Sequence, residues 1–406
     1  MGEGRRGDDS EEIEAPDTIE VITTAREPAY GEGARERVLA RLREGRTRRR
    51  RPPIHYQRVG TARYRIIRVL QKRVVAYSRE LERQVCEVGF NFATTPPNQR
   101  PEPVHYNEAM QQLTDPEPDA DGEQPEPEVI RLPVEVLPNT KVTFFTLAWG
   151  DREEKQEALD RKIAALRAYL RVEKIAPISG WHAEQVHHEA MIRSGDWFSV
   201  GWKGGDEIRR MHSRVLSVGS VDLAALHHPT RVPVVAEVKN RREWFYEGNE
   251  VVWALLGAAA ELEAVPVLIT RRVPEPLFKF MKQIGGIAFP TTKLILPPDA
   301  EAMAEPGELT FGEATEELGF HSDIDYLPID GALPRHRALW DRILPPQVEE
   351  LHARFMRLQD DVIRIAMVEG LRSGRQRSKS GRTRPALVRE LLEKARSLEP
   401  PAEKDG

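Results

Sequence analysis

The chain has 406 residues, enough for one large domain or two to three smaller ones; at 40% hydrophobic, 31% charged and a mean hydropathy of -0.53 it can build a core while leaving part of its length outside. Its 60 basic and 65 acidic residues give a net charge of -5, so nucleic-acid binding must come from local basic clusters and not from overall charge. A single cysteine, Cys86, excludes a disulfide framework and a Cys-based zinc site, no apolar run approaches a membrane span, and the polar N-terminus carries neither a secretory nor a myristoylation pattern; the default expectation is a soluble cytoplasmic protein.

Residues 1–52 read as a disordered, basic end, closing on the run Arg46, Arg48, Arg49, Arg50, Arg51. Within a helical segment at 53–95, Ile66, Val69, Val74, Tyr77, Leu81 and Val85 recur at helical intervals and predict one helix over 60–88. From Pro96 the pattern breaks. The run "DPEPDADGEQPEPE" at 115–128 alternates acids with prolines, and the whole of 96–138 is expected to be an acidic linker. Order returns with a strand at 141–149 and an amphipathic helix carrying Leu159, Ile163, Leu166 and Leu170. A second helix follows, with Ser179 as N-cap and Gly195 just past its end.

Then the period shifts. "DWFSVGW", "RVLSVGSVDLAAL" and "RVPVVAEVK" read as three strands, 248–264 as a helix, "VPVLITRR" as a strand, and "LFKFMKQIGGIAFP" leads into a last strand "TTKLILPP". The continuously apolar "VPVVA" suits a strand covered on both faces. An α/β domain over 139–335 is the expectation. In 345–398, a C-terminal helical region, Val348, Leu351, Phe355, Leu358, Val362 and Ile365 step as a heptad seam. That seam at 347–368 is either a homodimer contact or a strip packed in cis. The tail at 371–384 has six basic residues and no acid, and a short helix at 385–397 closes the chain.

Chemistry concentrates in "VDLAALHHPTRVPVVAEVKNRREW". Residues i and i+2 of a strand share a face, so Glu237 and Lys239 point together while Val238 points away. Asp222 lies on the preceding strand, and an antiparallel hairpin turning at "HHPT" can set it beside Glu237. Two adjacent carboxylates repel unless a cation sits between them. Mg²⁺ favours such oxygen ligands, and a nearby ammonium can orient or help deprotonate a metal-bound water, or neutralise an attacked phosphate.

Asp222 followed by Glu237-Val238-Lys239 resembles the signature of the PD-(D/E)XK nuclease superfamily, in the branch of Holliday junction resolvases and Mrr-like enzymes. The resemblance covers roughly 177–298. It implies a restriction endonuclease-like core (helix, three-stranded meander, helix, strand), here with helical N- and C-terminal extensions. It implies that Asp222 and Glu237 bind Mg²⁺, or Mn²⁺ in its place, with help from the Val238 carbonyl and from Glu184 on the first helix. Glu189 is the weaker candidate for that last role. Lys239 handles the water. Val221 stands where the superfamily's name has proline.

Other constellations carry less. His188-Glu189 lacks the second histidine of a zincin helix, since Ile192 occupies its place, so His182 and His188 read as solvated or substrate-side groups. His227 and His228 fall in the hairpin turn and read as solvated. "NRREWFYEGN" places Arg241 and Arg242 beside Trp244, Phe245 and Tyr246, which either grip nucleic acid or cap the next helix. Arg49, Arg50, Arg375 and Arg377 represent the basic runs and are read as sequence-blind phosphate contacts. Two functions follow: a Mg²⁺-dependent DNA endonuclease, or a catalytically silent DNA-binding or assembly module on the same fold.

Overall fold

The computed structural model describes residues 54–87, 96, 99–118, 124–175, 177–202, 208–211, 213–217, 219–241, 243–368 and 384–398. The chain divides into two compact units, Met1–Leu159 and Asp160–Gly406. It is a mixed α/β protein. Among the described residues, no helix is long and apolar enough to cross a membrane.

The first unit opens with α1 (Ile54–Arg73), β1 (Val75–Tyr77) and α2 (Ser78–Cys86), continues with α3 (Pro103–Thr114), and adds β2 (Val129–Leu137) and β3 (Thr140–Leu147). The single helix expected over 60–88 is therefore broken. Val74 takes a left-handed backbone, φ 64°, and Val75–Tyr77 leaves the helix to pair antiparallel with Thr146–Phe144 at the edge of the sheet β1-β3-β2. Sheet hydrogen bonds and three buried side chains outweigh the local helical period here. The Glu80 carboxylate, fully buried, accepts from the Tyr77 N–H and faces Arg73 at 3.8 Å, which secures the restart of the helix.

The linker expected at 96–138 is also corrected. It contains α3, which buries Tyr106, Ala109, Met110 and Leu113, and the whole of β2. Between them, the described residues 115–118 and 124–128 of the acidic proline-rich stretch lie outside helices and strands. The boundary expected at 139 falls instead at Leu159, because β3 is the central strand of the first unit's sheet.

α4 (Arg152–Ile175) leads into the second unit. There follow α5 (Pro177–Ile192), β4 (Trp197–Trp202), a small hairpin of β5 (Arg210–Met211) and β6 (Arg214–Val215), β7 (Leu223–His227) and β8 (Pro233–Lys239). α6 (Glu250–Leu262), β9 (Val265–Thr270), α7 (Glu275–Ile284) and β10 (Ile287–Pro290) complete the main sheet. Its order is β10-β9-β8-β7-β4; β4, β7 and β8 run antiparallel, while β8, β9 and β10 run parallel. α5 starts at Pro177, two residues ahead of the expected cap at Ser179, and Gly195 takes a positive φ of 83° just beyond it. The last strand of this sheet is β10, not 291–298. That later segment forms β11 (Leu294–Leu296), which pairs in parallel with β12 (Ile324–Tyr326) beyond α8 (Phe311–Glu317).

Alternation sorts the strands onto two faces. Ala183, Val186 and Ala190 of α5 pack with Leu223, Ala225, Val234, Ala236, Val238 and Val267. Val252, Leu255 and Leu256 of α6 and Leu277 and Phe280 of α7 pack on the other face with Ala224, Val235 and Leu268. After α9 (Pro334–Ala338), the heptad segment forms two helices, α10 (Val348–Met356) and α11 (Gln359–Val368), and not one. Its six seam residues are buried within the same chain, Val348 and Leu351 among the α5-side cluster and the other four among the α6-side cluster. Of the two alternatives for 347–368, this burial fits the strip packed in cis and gives no support to the homodimer contact. α12 (Arg384–Ser397) adds Val388, Leu391 and Ala395 to the α6-side cluster.

Candidate active site

The hairpin β7–β8 builds the site. Its ladder sets Leu223 opposite Ala236, and continuing that register by one residue sets Asp222 opposite Glu237. β7 begins only at Leu223, so the next ladder partner is a side chain: Asp222 Oδ2 accepts the Val238 N–H at 2.8 Å. On an extended strand the carbonyl of a residue faces the same edge as its N–H, so the Val238 carbonyl also faces the Asp222 side. The turn is closed by the His227 N–H donating to the Val232 carbonyl at 2.9 Å, which fixes the strand offset.

Glu237 and Lys239 share the face of Val235, the side that α6 covers. Lys239 Nζ pairs with Glu237 Oε1 and lies 3.5 Å from Asp222 Oδ2. Asp222 is 2% exposed, whereas about a fifth of the Lys239 side chain reaches solvent. Burial opposes the ammonium, but the carboxylates of Glu237 and Asp222 outweigh it and hold the Lys239 pKa above the ordinary lysine value. Two acids and one cation therefore meet at one point.

Two neighbours were not singled out from the sequence. Thr270 lies opposite Lys239 in the parallel register of β9, on the same face, and its fully buried hydroxyl has no hydrogen-bond partner among the described residues. Strand alternation in "VPVLITRR" fixes its face, but only the register across α6 sets it beside Lys239. Asn240 follows Lys239 and clamps β11: its Nδ2 donates to the Ile295 carbonyl at 2.5 Å and its Oδ1 accepts the Ile295 N–H at 2.9 Å.

Glu184 is partly buried on α5, the helix that packs on the face opposite Glu237 and Lys239. Among the described residues no three His, Cys, Asp or Glu side chains gather into a group able to hold a metal ion. Glu189 pairs with Arg193 at 2.7 Å. His188 Nε2 lies 2.8 Å from Ser199 Oγ. His182 is buried, not solvated, with Nε2 2.7 Å from the Leu327 carbonyl. His227 is likewise buried, with Nδ1 2.8 Å from Thr230 Oγ1, and of the two turn histidines only His228 is exposed. Arg241 is exposed next to the site. Phe245 is buried in the α6-side cluster, which fits the helix-capping alternative for that residue. Arg49, Arg50, Arg242, Arg375 and Arg377 lie outside the described residues. No protein-family model, no curated protein and no solved structure matches this chain.

Proposed function

We propose that this chain is a metal-dependent DNA endonuclease of the PD-(D/E)XK type. One observation carries the reading: Asp222, Glu237 and Lys239 converge where β7 begins and β8 ends. The element order α5-β4-β7-β8-α6-β9, antiparallel through β8 and then parallel, supports the restriction endonuclease-like core. The donor set fits a hard divalent cation: two carboxylates, with a main-chain carbonyl at the same edge, and Mg²⁺ commonly completes its shell with water. Asp222, Glu237 and the Val238 carbonyl would hold Mg²⁺, or Mn²⁺ in its place. Such an ion supplies a more acidic water and charge stabilisation at the phosphate.

The chain's own residues do the rest. Asp222 is fixed by the Val238 N–H, so its second oxygen has a defined direction. Lys239, with its raised pKa, is a cation at neutral pH. It orients the attacking water and neutralises the phosphate. In the reaction, water oxygen bonds to phosphorus, the P–O3′ bond breaks, and the leaving oxygen is protonated, giving a 5′-phosphate and a 3′-hydroxyl. Exposed Arg241 is placed to meet a neighbouring phosphate.

The test is plasmid cleavage by the full chain with Mg²⁺ or Mn²⁺. Glu237→Ala and Lys239→Ala are each expected to lower the rate by about 10²-fold or more. Salt-sensitive binding without cleavage under any metal overturns the enzyme and leaves the silent DNA-binding or assembly module. Cleavage of RNA but not DNA keeps the chemistry and changes the substrate.

A further inference from the structure

The ammonium of Lys239 occupies the same place that a divalent cation would need. It pairs with Glu237 Oε1 and stands 3.5 Å from Asp222 Oδ2, so one side chain neutralises both carboxylates. Asp222 is almost fully buried, and a pair of acids at the end of a buried strand is costly without a counter-charge. A divalent ion and an ammonium at the same two carboxylates repel each other strongly, far beyond a tenfold effect at an effective dielectric of about 20 and a separation of about 4 Å. They cannot both sit between the pair.

We infer that Lys239 is a built-in counter-ion, holding the Asp222–Glu237 pair together in the metal-free chain and having to swing out before a divalent cation can enter. The inference rests on reading those carboxylates as the metal-holding pair. It also gives the site an order of events. Lys239 has a four-carbon stem and about a fifth of its side chain in solvent, so it has a route outward. Once displaced, its charge is available to a substrate phosphate. Metal occupancy and the phosphate-binding position of Lys239 are then linked, and the linkage is reciprocal.

The test is calorimetric titration of MnCl₂ into the full chain and into Lys239→Met, with circular dichroism checking that the variant is folded. Lys239→Met is expected to bind Mn²⁺ at least about tenfold more tightly, and the gain to vanish when Glu237→Ala is added. A second measurement covers a variant that fails to fold: in the unaltered chain, Mn²⁺ should raise acylation of the Lys239 amine, followed by mass spectrometry. Equal or weaker Mn²⁺ affinity in a folded Lys239→Met overturns the inference, as does labelling unchanged by saturating Mn²⁺. If neither protein binds Mn²⁺, the metal reading and the counter-ion both fall. If Lys239→Met binds more tightly while the unaltered chain cleaves no nucleic acid, the counter-ion stands and the nuclease proposal fails alone.

Discussion

Asp222 uses one oxygen for two purposes: Oδ2 replaces a missing ladder acceptor for the Val238 N–H and faces the Lys239 ammonium. The two roles separate by substitution. Asp222→Ala leaves a buried N–H without an acceptor, a loss of about 1–3 kcal/mol. Asp222→Asn keeps an oxygen at that place while removing the charge, so it should be the more stable of the two by about 1–2 kcal/mol. Urea midpoints compared at equal m-values check this, and equal stabilities would show that the ladder role is not real. The pairing of Glu237 with Lys239, and of Asp222 with Glu237, was legible in the sequence for a simple reason. Side chains alternate on a strand, and a short hairpin fixes its own register. Glu184 was not legible in the same way. Helical phase shows which stripe of α5 is buried, but not on which face of the sheet that stripe lands, and it landed opposite the lysine. Thr270 depended on a parallel register set across a whole helix, for which no local pattern exists.

At the scale of elements, the limiting contact is α7 against α10. Gly285 ends α7 with a φ of +87°, and a Cβ built there would stand 2.4 Å from the Leu351 carbonyl oxygen and 2.6 Å from the Phe355 nitrogen. Both are backbone atoms of α10 and cannot rotate away. Gly285→Ala therefore combines left-handed strain of about 1–2 kcal/mol with an overpacking cost of about 1–3 kcal/mol. Gly195 provides the comparison: its φ is +83°, but nothing lies within 4 Å of its Cβ position, so Gly195→Ala should lose the strain component alone. Denaturant titration of the two variants checks the ordering, and equal losses would show that the α7–α10 contact yields. The same region marks the reach of sequence patterning. Among the described residues of 347–368, the heptad identified six of the seven buried ones and missed Ala366, because period alone decides which stripe is apolar. It could not say what covers that stripe, and neighbours distant in sequence supply the cover. It also ran through the break after Met356, where the Leu358 N–H donates to the Phe355 carbonyl at 2.9 Å in a tighter turn. β1 was lost to the same cause, since its hydrogen-bond partner is about 70 residues away and the local period is helical.

Across the whole molecule, neutral histidines are buried in both units, and this sets the response to acid. In the first unit, burial, Arg58 and His55 lower His105 to about 4, while its Nδ1 accepts the Glu102 N–H at 3.1 Å. In the second unit His187 and His336 are fully buried, their rings 5.7 Å apart, and neither ring nitrogen of His187 has a hydrogen-bond partner among the described residues. Burial, then the neighbouring histidine, lowers His187 to about 3, and burial, then Arg335, lowers His336 to about 4. An exposed histidine titrates near 6.5, so between those values the unfolded chain binds more protons than the folded one. The stability from keeping these rings neutral is therefore complete above pH 6.5 and is lost progressively as pH falls towards 4 and 3. The slope is up to about 1.4 kcal/mol per pH unit for each histidine. His187→Phe keeps an aromatic ring in the core and removes a group that must charge on unfolding in acid. Urea unfolding of the second unit's transition at pH 7.5, 6 and 5 should show the unaltered chain weakening steadily below 6.5. The variant should weaken less, by about one proton's worth of slope. Because the two buried nitrogens of His187 have no partner among the described residues, the variant should also be no less stable at pH 7.5. If both proteins weaken equally between pH 6 and 5, acid acts elsewhere and His187 is not a group through which protons open this unit.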